Sequence, residues 1–145
     1  MFATSPKNAN YYLNSHRQTL ISYYQTLHQQ SLNGQYPKFR GRNVIEHSVY
    51  TALEPIKKQE LKGALVMSYF ILKSFIKYSH LGGVGVSGVL VLEAKGKKPR
   101  VFYLQFDGRY LSDLEVLGIG SELFAYCVLP DFNQCILLGI NEDWQ

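Results

Sequence analysis

Apolar positions recur with helical spacing in the first half of the chain and with strand spacing in the second. Leu13, Leu20, Tyr24 and Leu27 follow at intervals of seven, four and three, one face of a helix. Asn14, Arg17, Gln18, Gln25 and Gln29 fill the opposite, polar face. Ser5 before Pro6 supplies a start and Asn33-Gly34 a left-handed stop, so the spacing predicts a helix over about 6–32. Asn43 can cap a short second helix over about 43–53, with Val44 or Ile45, Val49, Ala52 and Leu53 on one side. Pro55 disfavours helix at Glu54 and opens the next element. From 56 to 78, Leu61, Leu65, Tyr69, Leu72 and Ile76 form a stripe at helical spacing, widened by Val66, Met67 and Phe70. That predicts a third helix, buried between neighbours. Phe, Tyr, Ile and Val are also strand formers, so a long strand is the rival reading of this segment.

Past Gly83 the pattern changes. Runs over about 84–94 and 100–106 flank the turn Lys95-Gly96-Lys97-Lys98, with Phe102, Leu104 and Phe106 facing one way and Val101, Tyr103 and Gln105 the other. Gly82, Gly83, Gly85 and Gly88 mark a bulge or a close approach of another backbone or ligand. Asp107-Gly108 is a turn, 111–119 holds a helical turn, and two further strands are predicted at about 123–129 and 134–140. The fold class expected is α+β: N-terminal helices packed on a C-terminal antiparallel sheet of about four strands, in a single domain of 145 residues.

Charge changes this picture more than overall composition does. Up to Arg109 the chain holds all fifteen Lys and Arg against five acids; from Tyr110 onwards it holds six acids and no base, and the whole sums to +4. Such asymmetry points to an acidic partner, protein or nucleic acid, or to an acidic end element folding beside basic helices. Eleven Tyr against one Trp suit half-buried surfaces and interfaces. The first residues lack the pattern of an export signal, and the longest apolar stretch, Ala64–Ile76, is interrupted by Ser68, Lys73 and Ser74 and is too short to span a membrane. A cytoplasmic location is expected, with Cys127 and Cys135 as reduced core thiols; the register that would pair them is not readable.

Candidate chemistry is thin. Glu93, Lys95 and Asp107 resemble in outline the carboxylates and lysine of a metal-dependent nuclease, but no acid precedes Glu93 nearer than Glu60, and Asp107 sits beyond its strand. His16, His28, His47 and His80 have no zinc-site spacing. Glu46-His47 with Tyr50 is a pattern too common to carry weight. Cys127 lies inside a strand, and Ser87-Gly88 lacks a nucleophile elbow. No catalytic, metal or cofactor site is therefore expected. The remaining lead is basic: Lys38, Arg40 and Arg42, interleaved with Tyr36 and Phe39, and Lys95, Lys97, Lys98 and Arg100. On one face they would meet nucleic acid or an acidic protein. Two functions are expected from this. The first is a cytoplasmic, non-enzymatic protein-binding module, such as a toxin-neutralising immunity protein or another inhibitor. The second is a nucleic-acid-binding module using both clusters.

Overall fold

The most apolar stretch of the chain is a strand, and the rest of the molecule is arranged on it. The computed structural model describes residues 9–76, 83–92 and 98–140, the first six of them by backbone alone. In chain order the elements are α1 (Ala9–Leu32), β1 (Lys38–Phe39), β2 (Arg42–Glu46), α2 (His47–Thr51), α3 (Pro55–Glu60), β3 (Leu65–Ile76), β4 (Gly83–Leu90) and β5 (Phe102–Asp107). A 3₁₀ turn (Gly108–Tyr110), α4 (Leu111–Leu117), β6 (Glu122–Val128) and β7 (Cys135–Leu137) complete them.

The fold is mixed α+β, with four helices and a seven-stranded sheet among the described residues. The sheet has more strands than the four expected. Its order is β1-β2-β3-β4-β5-β7-β6, and β6 pairs back onto β3, so five strands close into a ring. Closure leaves no long open edge in that ring. Two of the pairings, β2 with β3 and β5 with β7, are parallel, so the sheet is not purely antiparallel.

β3 corrects the helix expected over 56–78; only Pro55–Glu60 of that region is helical. Its first seven residues pair with β6 along one edge through Ile71. The other edge is shared end to end: β2 takes Leu65–Met67, and β4 takes Phe70–Ile76. Leu65 through Ser68, Phe70 and Leu72 are all buried. A strand covered on both faces shows a continuous apolar run in which helical spacings also occur by chance. Lys73 is an extra residue between Leu72, opposite Gly88, and Ser74, opposite Ser87; this bulge turns the exposed end of β3.

Two shorter corrections have the same origin. The helix expected over 43–53 is a strand as far as Glu46, because Val44 and Ile45 are both fully buried beside β3; only His47–Thr51 is helical. The strand expected over 84–94 stops at Leu90, and the one expected over 134–140 is reduced to Cys135–Leu137. Helix α1 lies within the predicted 6–32 span, and buries Leu20, Tyr24 and Leu27. Its expected cap at Ser5-Pro6 lies outside the described residues, as do Gly82, His80 and Glu93. Gly83 and Gly88 do mark close approaches. A Cβ at Gly88 would stand 2.6 Å from Cδ2 of Phe70, and one at Gly83 would stand 2.2 Å from the Phe106 carbonyl oxygen.

Cys127 and Cys135 are joined by a disulfide, S–S 2.04 Å, where free thiols were expected. The β6–β7 register places them directly opposite each other. That register depends on the turn after Val128, which the sequence pattern does not specify.

Candidate functional site

The loop that carries Lys38, Arg40 and Arg42 is a two-residue hairpin. Phe39 faces Arg42 across it, and the two turn residues Arg40 (φ 51°) and Gly41 (φ 81°) are both left-handed. That is the geometry a tight hairpin between right-twisted strands demands, and Asn or Gly is the usual occupant of its first position. Alternation then divides the loop's chemistry. Phe39 turns inward, 7% exposed, with its ring 4.8 Å from that of Tyr126; Lys38, Arg40 and Arg42 turn outward. Arg40 lays its guanidinium over the outer side of the Phe39 ring, 4.7 Å from the centroid. Arg42 donates from Nη1 to the carbonyl of Gly63 at 2.7 Å.

Arg40 and Arg42 line a groove of about 510 Å³ whose far wall is the end of β5 and the turn after it. Arg109 enters the groove from that turn. It is placed by two local contacts: its backbone N–H donates to Oδ1 of Asp107 at 2.9 Å, and its guanidinium sits 4.8 Å over the Tyr110 ring. Nη2 of Arg109 also donates to the Tyr110 hydroxyl at 3.1 Å. Gly83 forms part of the floor, where a side chain would collide with Phe106. Three arginines and the Asp107 carboxylate thus share one concave surface. A guanidinium presents donors in a planar fork that matches carboxylate or phosphate oxygens, so the groove suits an anionic group on a larger partner.

The other expected site residues go elsewhere. Tyr36 is half-buried in a separate hollow beside His28, Ser48 and Lys57. Lys98 and Arg100 are exposed, and Arg100 lines a different cavity, next to Phe102. Phe102 pairs with Gly88 at one end of β5 and Asp107 pairs with Gly83 at the other, a separation of about 17 Å at ~3.3 Å per residue. Arg100 therefore lies near the opposite end of β5 from this groove and does not line it. Lys95 and Lys97 lie outside the described residues. Asp107 faces arginines, and no group of three or more His, Cys, Asp or Glu among the described residues is placed to hold a metal ion.

Sequence reasoning missed Arg109 and set Glu46 aside as part of a common pattern. Arg109 stands alone in the sequence after a turn and belongs to neither basic run. Glu46 is fully buried at the point where β2 becomes α2. Its carboxylate accepts from the Tyr24 hydroxyl, from His28 Nδ1 at 2.6 Å, from Ser48 Oγ at 2.5 Å and from the Ser48 and Val49 backbone N–H groups. Its own N–H donates to Ser31 Oγ at 3.0 Å. Burial pushes this carboxyl up, but the hydrogen bonds from Ser48, Tyr24 and His28 outweigh it and hold it below its ordinary 4.5. The partners Tyr24, His28 and Ser31 recur at four and three residues on the same face of α1 as Leu20 and Leu27, a polar stripe inside an apolar one that the sequence does display.

No family model, no curated protein and no solved structure matches this chain.

Proposed function

We propose that this chain is a protein-binding module that seats an acidic segment of its partner in the groove of Arg40, Arg42 and Arg109. The observation that supports it is the convergence of these arginines from two distant segments of the chain onto one concave surface. A toxin-neutralising immunity protein, or another small inhibitor, is the class of protein that needs such a surface and no chemistry of its own. Nucleic acid is the less favoured ligand. The aromatic residue interleaved with the arginines, Phe39, is packed against Tyr126 and offers no open face on which a base could stack.

The test compares an oligoglutamate peptide with mixed-sequence DNA, single-stranded and duplex, in the same salt titration. Peptide binding at low salt is expected, falling as salt rises, and weakened about tenfold or more in the R40E/R42E/R109E variant while its circular dichroism is unchanged. Tighter binding of DNA than of peptide at about physiological salt, or peptide binding indifferent to the variant, overturns the reading.

The cytoplasmic setting is part of the same proposal, and the Cys127–Cys135 disulfide weighs against it, since such bonds persist in oxidising surroundings. Thiol titration of freshly extracted protein separates the two. Two free thiols support the cytoplasm, and none places the chain in an oxidising compartment.

A further inference from the structure

A cavity of about 300 Å³ lies between α2, α3, the end of β4 and the start of β5. His47, the first residue of α2, stands in its wall with only 4% of its surface exposed. The ring is fixed on three sides. Phe102 lies edge-on at 4.5 Å, Phe132 at 5.1 Å, and Nδ1 is 2.7 Å from Ser68 Oγ.

The proton positions follow from hydrogen-bond accounting. Ser68 is fully buried, and its hydroxyl has no other acceptor among the described residues, so it donates to Nδ1. The reverse arrangement would leave a buried hydroxyl proton unsatisfied, which costs about 1–3 kcal/mol. Nε2 then carries the ring proton and has no partner among the described residues. Among the described residues no buried side-chain nitrogen or oxygen lacks a partner, so Nε2–H is not sealed in the core, and His47 lines the cavity. Burial also keeps this imidazole from charging, to about pH 4, against the opposing pull of Glu46. It is a neutral, rigid donor.

Two cations complete the lining. Lys58 lines it from α3, with Nζ 5.6 Å from the centroid of the Tyr50 ring, and Arg100 from the segment before β5, while Leu90, Val101 and Phe102 supply apolar wall. Charge at the mouth, one fixed neutral donor inside and hydrocarbon around it define a ligand type. We propose that this cavity binds a small carboxylate with an apolar body, its oxygens held by His47 Nε2–H, Lys58 and Arg100. The site is separate from the arginine groove, lying toward the opposite end of β5, and does not depend on the function proposed for that groove.

The experiment uses benzoate as the probe, with benzyl alcohol and inorganic phosphate as comparisons, followed by calorimetry and by the NMR signals of the His47 ring. Saturable benzoate binding is expected with a Kd below about 10 mM, accompanied by a shift of the His47 Nε2–H resonance. Arg100→Gln and Lys58→Gln, at exposed and half-buried positions, are each expected to weaken it about tenfold with unchanged thermal melting. R40E/R42E/R109E is expected to bind benzoate like the parent, which keeps this result distinct from that of the groove. Absence of saturable binding, equal binding of benzyl alcohol or of phosphate, or rim variants that bind like the parent overturns the proposal.

Discussion

Helix α1 is tied to the sheet by two glutamates at different depths. Glu46 has no exposed surface and accepts five hydrogen bonds, two of them from Tyr24 and His28 of α1, while Ser31 of α1 receives its backbone N–H. Glu122 is open to solvent, its side chain 42% exposed; it accepts from the Tyr69 hydroxyl at 2.5 Å and stands 3.6 Å from Arg17 of α1. The two carboxylates do the same job in outline. Their surroundings make them unequal: water competes for every partner of Glu122 and for none of the buried partners of Glu46. A half-exposed ion pair contributes only about 0–1 kcal/mol, whereas removing one member of a buried charged network strands the others.

The largest effect expected is therefore at Glu46. Glu46→Ala removes the acceptor for Tyr24, Ser48 and His28 together, and a loss of about 3–5 kcal/mol in urea unfolding is predicted. The chain is predicted to remain folded only marginally, if at all, at room temperature. A loss under 1 kcal/mol would mean that water replaces the carboxylate and that depth is not what separates the two glutamates.

Acid should distinguish the two ends next. His47, adjacent to Glu46, stays neutral in the fold to about pH 4, while in the unfolded chain it takes up a proton near 6.5. Its folded pKa is depressed, so its contribution to stability is present above pH 6.5 and is lost as pH falls toward 4. The loss is up to about 3 kcal/mol. Glu46, also depressed, adds a further loss below pH 4.5. Lys58 and Arg100 line the same cavity, and positive charge there opposes protonation of the ring, so they do not change the sign. Unfolding curves between pH 7 and 4 should show this decline, and His47→Gln should flatten it. A decline unaltered in the variant would assign the acid sensitivity to other groups.

Much of this arrangement was legible in the residues, and the failures share a cause. Alternation in Phe102, Leu104 and Phe106 located β5, and the 20-24-27 spacing located α1, because each of these elements has one wet and one dry face. β3 has two dry faces over most of its length, so its apolar run has no period, and its helical stripe was accidental. Glu46 was set aside because Glu46-His47 with Tyr50 is a common pattern and the segment read as part of a helix over 43–53. Only the pairing of β2 with β3, a contact between segments about twenty residues apart, puts it in the core. The groove was half legible: Arg40 and Arg42 were readable as a basic loop, but Arg109 reaches them through the closure of the sheet, in which β6 pairs with β3 and β7 with both β6 and β5. Arg100 could not have been separated from the first basic run without knowing that it precedes the far end of β5.

At the shallow end the predicted effects are smaller. Glu122→Gln keeps an acceptor for Tyr69 but removes the charge facing Arg17, and a change within about 1 kcal/mol is expected. Tyr69 gives a sharper readout than stability. Burial and then Glu122 raise its hydroxyl to about 12, so spectrophotometric titration should find it ionising at lower pH in the variant. A phenol that titrates unchanged would leave burial alone as the cause.

The smallest effect has the opposite sign, and it tests the idea that deep residues hold the fold while shallow ones are kept for binding. Arg40 occupies a left-handed turn position where a Cβ is unfavourable, and its guanidinium lies over the Phe39 ring. Asn tolerates that conformation better than Arg, so Arg40→Asn should stabilise the chain by about 0.5–1 kcal/mol. The stacking of the guanidinium over Phe39, about 0.5–1 kcal/mol at an exposed site, offsets this gain, so the net change is within about 0.5 kcal/mol. Binding resolves the ambiguity. If Arg40 is retained for the groove, the Asn variant should lose affinity for oligoglutamate while its melting temperature holds or rises. A variant that instead melts earlier and binds as before would make Arg40 a clamp on Phe39, and its place beside Arg42 and Arg109 incidental.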